Sequence, residues 1–364
     1  MRGRLRIVTT LALAAVAAPA RAAAPPLAIR GEVVHTMAGP AIADGVIVIE
    51  NGKVARVGPA DTVPVPPGAR VIRGAVVTPG LVDAHTAVGL TGWLNQAQDQ
   101  DQLDTGDPVQ PELRAIDSYN PRERLVEWVR GFGITTIHTG HAPGALVSGQ
   151  TMVVKTVGDT VEAAAIRPVA MVAVTLGDDA RPGDDKKSPG TRSKAVAMLR
   201  AELLKARDYV RRRGLADPEK QADRDLRREA FVDVLDGKLP LLVTVNRATD
   251  IDAALRVAAE FGVKVVLDSA AEAYLATDRI KAAGVPVIVH PSMRRSGRGE
   301  TENMSFETAA KLRAAGIPVA LQSGYEPYVP KTRVALFEAA ITAANGLSTE
   351  EALAAITIDA ARIL

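Results

Sequence analysis

The chain has 364 residues, of which 47% are hydrophobic and 24% are charged, and it contains no cysteine. This length and hydrophobic content are enough for one large domain and a small one. The lack of cysteine excludes disulfides, thiolate metal ligands and a cysteine nucleophile.

The first 22 residues have the three parts of a secretory signal peptide. Met1 to Arg6 is basic, Ile7 to Ala18 is apolar, and Ala20-Arg21-Ala22 is a small-x-small cleavage site. The alternative is a membrane anchor, but the apolar run is too short to span a bilayer and Pro19 interrupts it. We therefore expect an exported, periplasmic protein that has no membrane partner after cleavage.

The formal net charge is +2, and residues 1–22 contribute four arginines and no acid, so the remaining chain has 2 − 4 = −2. A mature chain with a slightly negative charge has no electrostatic footprint for nucleic acid. We therefore expect no nucleic-acid partner.

Residues 23–77 have the pattern of a small β domain. The β-branched runs Gly45 to Glu50 and Lys53 to Val57 are separated by Asn51-Gly52, a strong signal for a two-residue hairpin turn. The hairpin has apolar residues on both faces, and an unpaired edge of this kind favours self-association.

From residue 78 to residue 364, short apolar runs alternate with helical patterns, which predicts repeated βα units and a parallel sheet. The interpretation is an α/β fold with a (β/α)8 barrel, which places active sites at the carboxyl ends of its strands. After the run at Thr78, the predicted strands are Gly133–His138, Thr151–Thr156, Pro168–Val174, Leu241–Asn246, Val263–Asp268, Val285–His290 and Ile317–Gln322. The predicted helices are Pro121–Arg130, Ser193–Arg213, Asp250–Phe261, Ala271–Ala283, Ser305–Ala315 and Thr349–Leu364.

One stretch combines a turn, a buried strand and polar residues at its end. It is Pro79-Gly80-Leu81-Val82-Asp83-Ala84-His85. It resembles the first barrel strand of the amidohydrolase superfamily, whose pattern is Pro-Gly, two hydrophobic residues and Asp-x-His-x-His. Ala87 stands where the second histidine of the pattern would be.

Further segments make the chain similar to the imidazolonepropionase-like branch of this superfamily. They are Gly131–Thr136, Ser148–Gln150, Ser188–Arg192, Ala248–Ile251, Ala271–Tyr274 and Ala352–Thr357. The resemblance implies that residues 23–77 are the amino-terminal part of a β-sandwich, whose remaining strands would follow the barrel. Because the sequence ends at Leu364, we expect an incomplete sandwich.

The resemblance also implies hydrolysis of a C–N bond in an amide, a cyclic amide or a dipeptide. In such enzymes one or two divalent metals, commonly zinc, activate a water. The implied ligands are two histidines from strand one, a lysine or glutamate from the middle strands, histidines from strands five and six, and an aspartate from strand eight. The matching positions after His85 hold Ala87, Thr244 or Asn246, Asp268 or Ser269, and Gly324.

Thr, Ser and Gly are poor zinc ligands and Asn is a weak one, so the implied metal site is degenerate. His85 is its remnant ligand. Lys155 precedes the position of the bridging lysine, and we interpret it as a solvated strand lysine.

Four of the five histidines lie at or just beyond predicted strand ends, namely His85, His138, His141 and His290. One hypothesis is a rearranged or single-zinc site that uses them with Asp83, Asp178 or Asp268. The favoured alternative is a polar pocket without metal, because histidine spacing alone is a weak signal. No residue is assigned as catalytic.

Two functional hypotheses remain. The first is a working amidohydrolase with a rearranged metal site around His85. The second is a catalytically inactive exported barrel that binds a small amide or dipeptide-like ligand, or a partner, in the inherited pocket.

Overall fold

The structure is a computed structural model, and it describes residues 25–180, 189–292, 299–325 and 334–364. The predicted signal peptide and its cleavage site lie outside these ranges. The chain divides into two compact units, Met1–Thr78 and Pro79–Leu364.

The smaller unit contains a four-stranded sheet. Its strands are β1 (Leu27–Val34), β2 (Ile42–Glu50), β3 (Lys53–Pro59) and β4 (Arg70–Val77), in the order β3-β2-β1-β4. β1 pairs antiparallel with β2 and parallel with β4. Residues 25–78 form this one sheet, and the β-sandwich stays a prediction.

The predicted hairpin between β2 and β3 is confirmed. Glu50 and Lys53 are register partners, and the two residues between them have φ angles of 52° at Asn51 and 75° at Gly52. Positive φ at both central positions is the geometry that favours an Asn-Gly turn, because its twist matches that of the strands.

Both outer strands of this sheet expose apolar side chains. On β3, Val54 is 64% exposed, and on β4, Val76 is 62% exposed. Open apolar strand edges favour pairing with another chain. Self-association through this sheet stays a prediction.

The larger unit is α/β. Its strands are β5 (Leu81–Thr86), β6 (Ile134–Thr139), β7 (Val147–Gln150), β8 (Met152–Lys155), β9 (Ala165–Arg167), β10 (Val172–Thr175), β11 (Leu241–Val245), β12 (Val265–Ser269), β13 (Val287–Val289) and β14 (Val319–Leu321). They form a six-stranded sheet in the order β14-β13-β12-β11-β10-β7 and a four-stranded sheet in the order β5-β6-β8-β9.

The expectation of an all-parallel sheet is wrong at β7 and β8. β7 runs antiparallel to β10, and β8 runs antiparallel to β6. Residues 140–151 connect β6 to β8, and they contain the strand β7 and no helix. Parallel neighbours are usually joined by a crossover helix, which this connection lacks, and the chain returns antiparallel to β6.

The two sheets of the larger unit are linked at two places. Thr151 joins β7 of one sheet to β8 of the other. At the opposite edges, Thr86 and Gly324 form a parallel bridge, and the Gly324 N–H donates to the His85 carbonyl oxygen at 3.2 Å. The carboxyl ends of β5 and β14 therefore lie side by side.

Ten α-helices occur in the described ranges. They are α1 (Arg124–Gly131), α2 (Val161–Ala164), α3 (Arg192–Arg213), α4 (Leu226–Leu235), α5 (Ala248–Phe261), α6 (Thr277–Ala283), α7 (Thr308–Ala314), α8 (Ala335–Ala344), α9 (Thr349–Ala355) and α10 (Ile358–Ile363). None of the helices that the structure describes is long and apolar enough to cross a membrane.

The prediction of one helix over Thr349–Leu364 is wrong, because the segment forms α9 and α10 with a break between them. Thr357 leaves helical geometry, with φ −138° and ψ −99°. Its hydroxyl donates to the Leu353 carbonyl oxygen at 2.6 Å. A threonine that bonds back to the preceding turn competes with regular helix geometry, and here the chain changes direction.

The hydrophobic residues of the larger unit form two separate clusters. The larger one lies between the strands and the helices and includes Val243, Leu267 and Leu321. The smaller one, called the inner apolar layer, consists of Val82, Ala84, Val153, Ala170, Met171, Leu242, Val266, Ile288, Ala320 and Ala360. Because side chains alternate along a strand, the next residues on the inner face lie two positions beyond these.

Candidate functional site

A polar layer follows the inner apolar layer toward the carboxyl ends of β11 to β14. Two residues beyond the inner apolar residue of each strand stand Thr244, Asp268, His290 and Gln322. All four are at most 4% exposed. Buried polar groups need hydrogen-bond partners, so the contacts of this layer determine which atoms are available to a ligand.

Asp268 is the centre of this layer. Its Oδ1 accepts hydrogen bonds from His85 Nδ1 and from Gln322 Nε2, both at 2.9 Å, and its Oδ2 accepts from Thr244 Oγ1 at 2.7 Å. Burial raises the pKa of this carboxyl, but the interaction with His85 and the hydrogen bonds outweigh it, so the pKa lies below its ordinary value. Asp268 is therefore an ionised acceptor.

His85 is oriented by this carboxylate. Since an ionised carboxylate can only accept, Nδ1 of His85 carries the proton that it shares with Asp268. The other ring nitrogen, Nε2, is buried and has no hydrogen-bond partner among the described residues. The ring lies 5.7 Å from the His138 ring and 5.6 Å from the Tyr325 ring, centroid to centroid.

His138 uses both ring nitrogens within the protein. Nδ1 donates to the Ala84 carbonyl oxygen at 2.7 Å, and Nε2 lies 2.7 Å from Thr151 Oγ1, which donates to it. Burial lowers the pKa of His138 to about 3, so the ring is neutral. The ring of His138, on β6, thus contacts Ala84 on β5 and Thr151, the residue that links the two sheets. Neither nitrogen is left for a metal.

His290 is similarly engaged. Its Nδ1 lies 3.1 Å from the Pro291 carbonyl oxygen and its Nε2 lies 3.2 Å from Thr308 Oγ1. These contacts hold the ring between the end of β13 and the start of α7. Each ring nitrogen of His290 therefore has a contact within the protein.

His141 is 5% exposed and follows the end of β6 by two residues. It packs on the backbone of Gly149, where an added Cβ would lie 2.3 Å from His141 Cδ2. Burial lowers the pKa of His141 to about 4, so this ring is also neutral. The close packing explains why residue 149 has no side chain.

Asp83 bonds across the junction of β5 and β14. Its Oδ1 accepts from the Ser323 backbone N–H at 2.9 Å, and its Oδ2 accepts from the Ser323 hydroxyl. Burial raises the pKa of Asp83 to about 6 in spite of these hydrogen bonds. Both carboxyl oxygens are thus used to hold the strands together.

The remaining positions of the implied metal site are also occupied by protein contacts. Asn246 Oδ1 accepts from Ser269 Oγ at 3.0 Å, and Gly324 forms the bridge to Thr86. Within the described ranges, no group of three or more histidine and acidic side chains is arranged to hold a metal ion. The described side chains therefore do not fit the metal centre that the resemblance implies.

Two other candidates lie outside this network. Asp178 is 3.4 Å from Arg192, which also pairs with Asp250 at 3.1 Å and with Glu300 at 2.6 Å. Lys155 is exposed, as predicted, and its Nζ is 3.4 Å from Thr136 Oγ1. Of the predicted acids, the structure brings Asp268 to His85 and leaves Asp178 with Arg192.

Three residues that contact the predicted site residues were not predicted from the sequence. Thr151 bonds to His138, Gln322 bonds to Asp268, and Thr244 was considered only as a missing ligand. The signal that could have found them is the strand period of two, since Thr244 and Gln322 each follow an inner apolar residue by two positions.

No protein-family model and no curated protein sequence matches the chain. Among solved structures, an amidohydrolase from Thermotoga maritima MSB8 is 27% identical with a TM-score of 0.86, over 93% of this chain and 88% of that one. A prolidase complexed with N-methylphosphonate-L-proline is 16% identical with a TM-score of 0.53, over 93% and 87%. Ochratoxinase from A. niger is 17% identical with a TM-score of 0.52, over 93% and 84%. The chain has the fold of these proteins, and the amidohydrolase superfamily fits it.

Proposed function

We propose that this chain is an amidohydrolase-type (β/α)8 barrel of the imidazolonepropionase-like branch with a degenerate metal site. It binds a small amide or dipeptide-like molecule at the carboxyl ends of the barrel strands, beside the polar layer. It does so without a tightly held metal. The barrel is supported by the two links between the sheets, at Thr151 and at the Thr86–Gly324 bridge.

The observation that carries the proposal is the state of the histidine nitrogens. His138 and His290 have both ring nitrogens within hydrogen-bond distance of protein atoms. His85 Nε2 and both ring nitrogens of His141 are buried and have no partner among the described residues. Zinc takes three or four protein ligands, and no group of three histidine and acidic side chains in the described ranges is arranged to hold it. The open nitrogens of His85 and His141 can instead each satisfy one polar group of a ligand.

Amides are the favoured ligand class for two reasons. The solved structures of similar fold are named as an amidohydrolase and a prolidase, among others. An amide presents both a donor and an acceptor, so one of its two groups can pair with an open histidine nitrogen whether that nitrogen accepts or donates.

Hydrolysis is the second candidate function, and the contact between His85 and Asp268 favours it. A histidine whose Nδ1 is held by a buried carboxylate has Nε2 oriented to take a proton from water. Under this alternative, His85 is the general base and Asp268 is the positioning residue.

Two further parts of the proposal concern the rest of the chain. We propose export to the periplasm, supported by the basic, apolar and small-residue pattern of residues 1–22. We also propose that the sheet of the smaller unit is part of a β-sandwich, supported by the apolar side chains that β3 and β4 expose.

The test combines metal analysis with calorimetric titration. Protein made in zinc-supplemented medium and dialysed should hold well under one metal per chain. It should then bind amides or dipeptides from a panel without added metal, and His85→Ala should weaken that binding. His35→Ala, which removes a histidine from the smaller unit, is the matched control and should bind as the wild type does.

One or two tightly bound metals per chain would contradict the proposal and favour a rearranged metal site. Hydrolysis assays with and without added zinc accompany the titration. Turnover without metal that is lost in His85→Ala would establish the hydrolase alternative.

A further inference from the structure

A cavity of about 310 Å³, the volume of about ten water molecules, lies beside the loop that leaves the carboxyl end of β5. We propose that it binds a small zwitterion with the chemistry of an amino acid. Two carboxylates of the cavity bind the ammonium group of the ligand, and two arginines bind its carboxylate. The cavity shares no lining residue with the polar layer around Asp268, so this inference does not rest on the proposed function.

Backbone hydrogen bonds join the segments that form this cavity. The lining residues come from the segments 89–92, 99–101 and 118–124. The Asp101 N–H donates to the Leu90 carbonyl oxygen at 2.8 Å. The Asn120 N–H donates to the Gly89 carbonyl oxygen at 2.9 Å. The first segment is therefore bonded to both of the others, which fixes the position of the charged side chains that they carry.

The segment 99–101 supplies the two carboxylates. Asp99 and Asp101 line the cavity and are exposed, whereas the Gln100 side chain between them has its Nε2 buried. The Asp99 carboxylate lies directly over the backbone of Gly92, where an added Cβ would be 2.6 Å from Asp99 Oδ2. A side chain at residue 92 would therefore displace the carboxylate from the cavity.

The segment 118–124 supplies the two arginines. Arg122 and Arg124 line the cavity and are exposed. The Arg124 guanidinium lies over the Trp93 ring, 4.5 Å from its centroid. A stacked guanidinium keeps the N–H groups at its edge free to donate. Glu123, between the arginines, is already used, since its carboxylate accepts from the backbone N–H groups of Trp93 at 2.8 Å and of Leu125.

The charges that border the cavity are not paired with one another. The side chains of Asp99, Asp101 and Arg122 have no hydrogen bond or ion pair within the described ranges. Arg114 and Asp117, nearby in the chain, do pair, at 2.7 Å. A ligand ammonium can donate to the carboxylates while the guanidinium groups donate to a ligand carboxylate. A molecule that carries both charges therefore satisfies groups that do not satisfy each other.

The first experiment uses the wild-type chain and three probes, L-alanine, propionate and ethylamine. Propionate lacks the ammonium group of L-alanine, and ethylamine lacks its carboxylate. The chain has only two tryptophans, so ¹⁵N-tryptophan labelling gives two indole N–H signals, and Trp93→Phe identifies the signal beside Arg124. L-Alanine should shift this signal at millimolar concentration. Each analogue should bind about fivefold more weakly, because it loses one exposed ion pair.

Two results of this titration would overturn the inference. One is equal affinity for the three probes. The other is no binding of L-alanine, seen both in the indole signal and by calorimetry. Because the comparison of probes uses the wild-type chain, it does not depend on whether a variant folds.

The second experiment assigns each charge of the ligand to its partner. Asp99→Asn should remove the preference for L-alanine over propionate, and Arg122→Gln should remove the preference for L-alanine over ethylamine. Arg114→Gln is the matched control, since it removes an exposed arginine that does not line the cavity, and it should bind as the wild type does. Wild-type preferences in both Asp99→Asn and Arg122→Gln would contradict the proposed contacts.

His85→Ala separates this cavity from the polar layer. The variant should bind L-alanine as the wild type does. Loss of L-alanine binding in His85→Ala would place the zwitterion at the polar layer and overturn the inference. Failure of the amide and dipeptide panel at the polar layer, with L-alanine still bound, would contradict the proposed function alone.

Discussion

Asp83 accepts hydrogen bonds from both the backbone N–H and the hydroxyl of Ser323, although the two residues are 240 positions apart in the sequence. The contact joins β5, the first strand of the larger unit, to the segment just after β14, the last strand that the structure describes in this unit. Asp83 is 1% exposed and Ser323 is also 1% exposed. Because a buried carboxylate is costly even when hydrogen-bonded, this contact makes stability depend on pH.

We predict that ionisation of Asp83 lowers the free energy of unfolding of the protein as the pH rises from about 4 to about 6. Burial raises the folded-state pKa of Asp83 to about 6, above the ordinary value of 3.8. The folded state therefore binds more protons than the unfolded state in this window, and its stability falls with rising pH. The stability difference between wild type and Asp83→Asn should shrink by roughly 3 kcal/mol across the window in urea unfolding.

Asp44→Asn is the control for this measurement. Asp44 hydrogen-bonds Arg30, which lowers the pKa of the Asp44 carboxyl below its ordinary value. Asp44 is therefore ionised in the folded state throughout the window, and in the unfolded state it completes its ionisation just above its ordinary pKa of 3.8. The difference from wild type should change only slightly with pH, and in the opposite direction. A flat difference for Asp83→Asn as well would show that Asp83 ionises normally.

The inner apolar layer should be sensitive to loss of volume. Ile288 is 0% exposed within this layer, so Ile288→Ala should leave a cavity and lower the free energy of unfolding by about 2–5 kcal/mol. Ile166, on β9, is 48% exposed, and Ile166→Ala should cost well under half as much. Equal losses in denaturant unfolding would mean that the layer is not closely packed.

The packing of α10 on the inner apolar layer gives a second paired prediction. Ala360 is 0% exposed, and its neighbour Ala361 is exposed. Ala360→Asp would bury a charge without a partner and should cost at least about 3 kcal/mol. Ala361→Asp has the same chemistry in water and should be close to neutral. Thermal unfolding of the two variants side by side distinguishes them, and similar melting temperatures would place α10 outside the core.

The sequence predicted those elements whose signals are local. The Asn51-Gly52 turn and α5 are local patterns, and the structure has both. The alternation of side chains along β11 and β12 also determines which residues face the inner apolar layer. These features depend on neighbouring residues, so one sequence is sufficient to find them.

The features that escaped prediction depend on distant partners. The alternation of a strand contains no information about its direction, so the antiparallel course of β7 and β8 could not be read from their residues. The partners of Asp268 come from 24 and 54 positions away, at Thr244 and Gln322. Without a second sequence or a structure, nothing in the pattern joins them.

The reversal of the chain between β6 and β8 also has a kinetic consequence. Thr139 and Met152 are register partners only 13 positions apart, since 152 − 139 = 13, whereas Thr244 and Asp268 on the parallel pair β11 and β12 are separated by 24. Closing a shorter loop costs less entropy, and hairpins form within microseconds. We therefore expect β6 and β8 to pair early in folding. His138 and Thr151 would then meet before the strands that bring Asp268 to His85 have assembled.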